Sequence, residues 1–138
     1  MVRHLFFLGA TLLSLCGTSL GASEAAEPPK RWTLADFGGV LSVGLEGHRS
    51  FASGQQHFRR QCAGCHKLGV LGGGRARDLS RRALTYTPEE LLAHILSPEA
   101  HPAKPNGLVD SLSQEGVLDL LAFILSGADS KSPLFFHP

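Results

Sequence analysis

Cys62-Ala63-Gly64-Cys65-His66 is the stretch that decides how this chain is read. Two cysteines with two residues between them, followed at once by a histidine, form the attachment motif for a c-type haem. The spacing has a geometric basis. On a helical turn the first, fourth and fifth positions project to one side, so two sulfurs and an imidazole address one flat macrocycle. The thiols add to the two vinyl groups, and His66 supplies an axial nitrogen to the iron. Three other readings compete: a structural disulfide, a thioredoxin-like redox pair and half of a zinc site. A zinc site needs further ligands at matching spacing, and the chain has no second C-x-x-C. A redox pair belongs on a strand-turn-helix, which the flanking sequence does not offer.

The N-terminus strengthens the motif. Arg3 and His4 precede an uncharged run from Leu5 to Ser23, then small residues and Glu24. This pattern predicts a secretory signal over residues 1–26, with cleavage after Ala22 or Ala25; an uncleaved anchor is the rival, since the run could just span a bilayer. Either way the protein is expected outside the cytoplasm, periplasmic or anchored facing the periplasm. Cys16 lies inside this run, so of the three cysteines only Cys62 and Cys65 remain in the mature chain. Pro28-Pro29 then opens an N-terminal extension over 27–47, ahead of one domain over 48–138.

Composition narrows the function further. Thirteen basic and twelve acidic residues give a formal charge of +1, so no basic field points to nucleic acid. Hydrophobic residues make up 43% of the chain, too many for full disorder. The single methionine is Met1, so a thioether ligand is excluded once the signal is removed. The sequence holds no paired-carboxylate pattern, no Gly-x-Ser-x-Gly and no phosphate loop, so nothing beyond the Cys62–His66 motif assembles a catalytic site.

The remainder reads as an all-α domain of about three main helices. Phe51, Phe58 and Cys62 recur at spacings of seven and four after Ser50 as cap, with Arg59 and Arg60 in the last turn. This helix delivers the motif. Gly69, Gly72, Gly73 and Gly74 form a loop where backbone is expected to pass close to the cofactor. A second helix begins at Thr87 and Pro88, buries Leu91, Leu92, Ile95 and Leu96, and stops at Pro98. A third runs from Ser113 to Ser126, is apolar almost all round and is therefore buried. The first and last helices are expected to cross, with Phe58 near Phe123. A mature chain of about 110 residues has a limited core of its own, and the haem becomes part of that core.

The chain resembles a small cytochrome c domain of class I type, and most closely the haem-binding domains of planctomycete-type secreted cytochromes, often fused to dehydrogenase-like modules. The similarity runs from Trp32 to His137. It is carried by Trp32 to Leu45, by Cys62 to Leu68, by the glycine loop ending Asp78-Leu79, by Tyr86 to Leu92 leading to Ile95-Leu96-Ser97-Pro98, and by Pro105 to Gly127. The resemblance implies an all-α fold around one covalently attached haem c, and electron transfer. Three departures stand out. The family's loop ends Gly-Pro-Asp-Leu, and its proline carbonyl is expected to hold the proximal histidine; this chain reads Ala76-Arg77-Asp78-Leu79, which keeps a carbonyl at Arg77. The connection from Pro98 to Pro105 is short where relatives carry an insert. The family's Met-Pro, source of the sixth iron ligand, is replaced by Lys104-Pro105.

The distal ligand is therefore open among His101, Lys104, His94, and water or an empty position. Lys104 must lose a proton to bind iron, whereas His101 needs far less deprotonation. A solvated or hydrogen-bonded side chain is the bland reading of each, and of His48, His57 and His137. Nitrogen ligation lowers the potential relative to a thioether. The expected function is a monohaem one-electron carrier between exported partners, such as a dehydrogenase or oxidase, rather than an enzyme. An open-iron sensor or peroxidase-like site, and haem as a structural staple only, are the alternatives. Arg59, Arg60, Lys67, Arg75, Arg77, Arg81 and Arg82 surround the motif, which fits either steering toward an acidic partner or solvated charge that neutralises the propionates.

Overall fold

The computed structural model describes residues 30–46, 48–80, 85–97, 99–103 and 107–135. The signal region, Lys104 and His137 lie outside the described residues, as do Arg81 and Arg82. Four α-helices follow a short 3-10 turn at Leu34–Asp36: α1 (Leu41–Glu46), α2 (Phe51–Gln61), α3 (Pro88–Leu96) and α4 (Gln114–Leu125). Among the described residues there is no strand, only isolated bridges pairing Lys67 with Asp78 and Leu68 with Leu71. The fold is the expected all-α one.

Local sequence sets each main helix. The Ser50 side chain accepts from the Ser53 amide at the start of α2. At α3, Thr87 and Glu90 form a reciprocal capping box around Pro88, which loses nothing there because the first amides of a helix have no internal partner. Ser113 caps α4 by accepting from the Gly116 amide. Every residue from Gly116 to Ile124 is buried, so α4 is the central element, as its all-round apolarity predicts.

Helices α2 and α4 cross at close range. A Cβ on Gly54 would run into the Asp119 carbonyl oxygen and approach the Phe123 Cβ to 2.7 Å. Glycine is what lets the two backbones meet. Around the crossing, Phe123 packs on Phe51 and Phe58 with ring centroids 5.2 and 5.7 Å apart, and Phe135 closes the cluster at 5.3 Å from Phe51. The expected meeting of Phe58 and Phe123 is present.

The polar seam beside this crossing is not evident from the sequence. Arg49 Nη1 lies 2.7 Å from Glu115 and 3.7 Å from Asp119. The buried Asp119 carboxylate also accepts from the Ser50 amide at 3.0 Å. One carboxylate of α4 thus holds both the start of α2 and the arginine that precedes it.

The segment before α2 packs on the same core. Phe37 is fully buried, Trp32 donates its indole N–H to the Leu112 carbonyl at 3.0 Å, and the Gln114 amide donates to the Asp36 carbonyl at 2.8 Å. α1 extends the three helices expected from sequence. Its signal was the spacing Phe37, Leu41, Leu45, one face of a helix at steps of four.

Candidate functional site

The motif leaves α2 as a turn that continues the helix direction. Cys62 caps α2, and the amides of Cys65 and His66 both donate to the Cys62 carbonyl, at 3.0 and 2.8 Å. The Cys62 side chain is buried, Cys65 is exposed and His66 is half-buried. The two cysteines do not form a disulfide here.

The loop after the motif folds back and laces itself to it. The Gly73, Ala76 and Leu79 amides donate to the carbonyls of Ala63, Cys65 and Lys67, at 3.1, 2.7 and 2.8 Å. Gly72 has φ +90°, and a Cβ there would strike the His66 carbonyl oxygen. The glycine run was expected to accommodate a cofactor; at Gly72 the close neighbour is the motif's own backbone.

This lacing fixes the His66 ring. Its Nδ1 lies 3.0 Å from the Arg77 carbonyl oxygen. As the donor in that bond, Nδ1 carries the ring proton and Nε2 is left as the free lone pair. The carbonyl at the position held by proline in relatives is therefore in place without proline.

Facing the motif is a cavity of about 370 Å³. Its wall includes Cys62, His66 and Leu79 from the motif and loop, Leu91 and Ile95 from α3, and Ile124 from α4. His94 and His101 also line it. The ring centroids of His66 and His101 are 6.3 Å apart, and those of His101 and His94 are 5.3 Å apart. Tyr86 lies nearly parallel to His94 at 6.4 Å. Burial, the largest cause, lowers the His101 pKa, with smaller contributions in the same direction from His94 and His66 and an opposing hydrogen bond to the Ser97 carbonyl. His101 therefore favours its neutral form.

Apolar walls, the Cys62 thiol and an imidazole with one nitrogen committed to backbone, with the exposed Cys65 next to that imidazole in the motif, form the donor set of a haem site. Residues 49–124, more than half of the chain, match the family described as cytochrome c oxidase, cbb3-type, subunit III. The chain belongs to this family of cytochrome c domains. No curated protein and no solved structure matches the chain.

As a cytochrome c domain, the protein is a haem-binding electron carrier. The cavity carries the parts that group needs: Cys62 and His66 line it, the exposed Cys65 lies outside its lining but adjoins His66 in the chain, and Leu79, Leu91, Ile95 and Ile124 supply an apolar surround. Of the distal candidates read from sequence, His101 is brought into contact with His66, and His94 is exposed and touches His101. Lys104 lies outside the described residues. His57 is near Gly116 of α4, away from the cavity lining. Among the described residues, no group of three His, Cys, Asp or Glu side chains forms a separate metal site.

Sequence reasoning missed Tyr86 and Leu79 as cavity residues. Leu79 was visible only as part of the Asp78-Leu79 ending of the loop. Nothing local to Tyr86 indicates that it stacks on a histidine eight residues later.

Proposed function

We propose that the protein is an exported monohaem cytochrome c that carries one electron at a time, with haem c bound through Cys62 and Cys65, His66 as proximal ligand and a sixth position not filled by methionine. The observation that carries this reading is the joining of Cys62 and His66 to one apolar cavity, with the His66 Nδ1 engaged by the Arg77 carbonyl. Haem supplies a reversible one-electron centre when bound. The chain's part is to hold the His66 ring in one tautomer, to exclude water with Leu79, Leu91, Ile95 and Ile124, and to keep the site rigid through the lacing of the 67–79 loop. Rigidity suits electron transfer because little has to rearrange when the charge changes.

The export signal in residues 1–26 supports a periplasmic place, where attachment of haem c and oxidised partners are at home. No helix among the described residues is long and apolar enough to cross a membrane. Arg59, Arg60, Lys67, Arg75 and Arg77 are exposed around the motif, and Val70 stands almost fully exposed at 98% in the loop between them. A basic surface with one projecting apolar side chain suits a redox partner with an acidic docking face, a dehydrogenase or an oxidase.

A redox titration of the haem-loaded protein tests the reading. A single reversible transition with one-electron slope, and full recovery over repeated cycles, is the expected result. Ready binding of carbon monoxide together with turnover of peroxide would instead favour the open-iron alternative.

A further inference from the structure

His101 occupies a position that the carrier function alone does not explain. It comes from the short stretch after α3, followed by Pro102, which biases the preceding backbone toward an extended form. Its Nδ1 lies 3.3 Å from the Ser97 carbonyl oxygen, and its ring is half-buried in the cavity wall. His66 is held in the same way by the Arg77 carbonyl. Two imidazoles in one cavity thus each commit Nδ1 to a backbone carbonyl and leave Nε2 free, which is the arrangement usual for a metal-bound histidine.

Their spacing is also that of a ligand pair. With metal–nitrogen bonds of about 2 Å, two imidazoles bound opposite one another through Nε2 have ring centres about 6 Å apart. His66 and His101 are 6.3 Å apart, centroid to centroid. His94 differs on two counts: it is exposed, and its ring contacts are with Tyr86 and with His101. It braces the His101 ring from the side.

We infer that His101 is the second axial ligand of the haem iron, paired with His66 across the cavity, and that His94 is a positioning residue for it. This rests on the haem c reading and specifies its sixth ligand. A bis-imidazole pair puts the carrier at lower potential than a methionine-ligated one.

The test uses the full chain, loaded with haem in a host that has haem-maturation machinery. Haem staining on a denaturing gel is read first, because it depends on Cys62 and Cys65 and not on His101; an unstained wild type overturns the haem reading itself. With staining positive, the oxidised wild type is expected to show a low-spin absorption and electron paramagnetic resonance spectrum. His101→Ala is expected to turn high-spin, to bind added cyanide, and to regain the low-spin spectrum with added imidazole. His94→Ala is expected to stay low-spin but to shift the electron paramagnetic resonance g values, because the His101 ring loses the neighbour that orients it; unchanged g values overturn the positioning role of His94. His101→Met serves as a second variant should His101→Ala not accumulate, with a higher midpoint potential as its expected signature. A stained wild type that is high-spin, or a low-spin spectrum that survives both His101 substitutions with an unchanged potential, overturns the assignment.

Discussion

Phe123 and Ile124 are neighbours on α4, yet they face differently built regions. Phe123 is locked between Phe51 and Phe58 where Gly54 lets α2 touch α4. Ile124 borders the cavity that holds Cys62, His66, His94 and His101. The first region is packed by protein alone: the three rings meet, and the carboxylate of Asp119 meets Arg49 and the Ser50 amide, while the buried Arg49 Nε has no hydrogen-bond partner among the described residues. The second has apolar walls around about 370 Å³, with donor atoms on its surface. It is the donor atoms and not the volume that mark this cavity as the place where a large non-protein group completes the core, since a cavity of about 410 Å³ beside Leu34, Phe37 and Leu92 is lined, among the described residues, by no cysteine or histidine.

The largest effect that separates the two regions is chemical. Replacing both Cys62 and Cys65 with alanine should abolish haem staining altogether while circular dichroism still reports helix. Hydrogen exchange on that variant should find amides of α2 and α4 protected and those of α3 and residues 99–103 fast. Uniformly fast exchange would mean that the helix crossing is not an independent core.

Next comes the crossing itself. Phe123→Ala removes the ring shared by Phe51 and Phe58 and should lower stability by about 3–5 kcal/mol in denaturant melts. Gly54→Ala should lower it by about 1–3 kcal/mol, because the added methyl meets the Asp119 backbone and the Phe123 Cβ. Alanine's better helix propensity, about 1 kcal/mol, acts in the opposite direction and is outweighed. A neutral or stabilising Gly54→Ala would mean that the helices are further apart than described.

Arg77→Pro is expected to do almost nothing at the cavity. The bond to His66 uses the backbone carbonyl of residue 77, which proline retains, and the side chain of Arg77 is exposed. The haem spectrum should be unchanged. A loss of the low-spin form would show that the loop needs the flexibility of a non-proline residue.

The smallest effect lies at the N-terminal segment. Hydrogen bonds from Thr33, then the Lys30 ammonium, hold the Asp36 carboxyl down at about 2. Because its pKa is lower in the folded state, Asp36 adds stability that is complete above the ordinary carboxylate range and lost as the pH falls toward 2. Asp36 is exposed to solvent screening, so Asp36→Asn should lower the melting temperature only slightly, and the difference from wild type should vanish in acid.

How legible these regions were follows from the range of the interactions. The ends of α2, α3 and α4 were set by Ser50, by Thr87-Pro88 with Glu90, and by Ser113, all acting within one helical turn, so sequence reading placed them closely. The crossing was foreseen from Phe58 and Phe123, but the reason it is tight was not: Gly54 looks like a helix weakness until Asp119 is found against it. The arginine–aspartate seam joins residues about seventy apart, and no local pattern announces such a pair.

The site divides the same way. Cys62, Cys65 and His66 form one contiguous signal, and the Arg77 carbonyl was expected from the loop pattern. In the sequence His101 led Lys104 and His94 only on ease of deprotonation, because nothing in a short connection between helices says which side chain turns inward. The fold places the two histidines differently: the Ser97 carbonyl and the cavity wall hold His101 beside His66, whereas His94 is exposed. The N-terminal segment was read as an extension, and Phe37 shows it contributing a fully buried ring to the same core.

The proposed attachment puts one haem on Cys62 and Cys65. Intact-mass measurement of the exported, purified protein, after treatment with a thiol alkylating reagent, tests it most directly. The predicted result is the mass of the processed chain plus one haem, with neither Cys62 nor Cys65 alkylated. The mass of the bare chain with two alkylated thiols, or with two hydrogens missing as a disulfide, would contradict it.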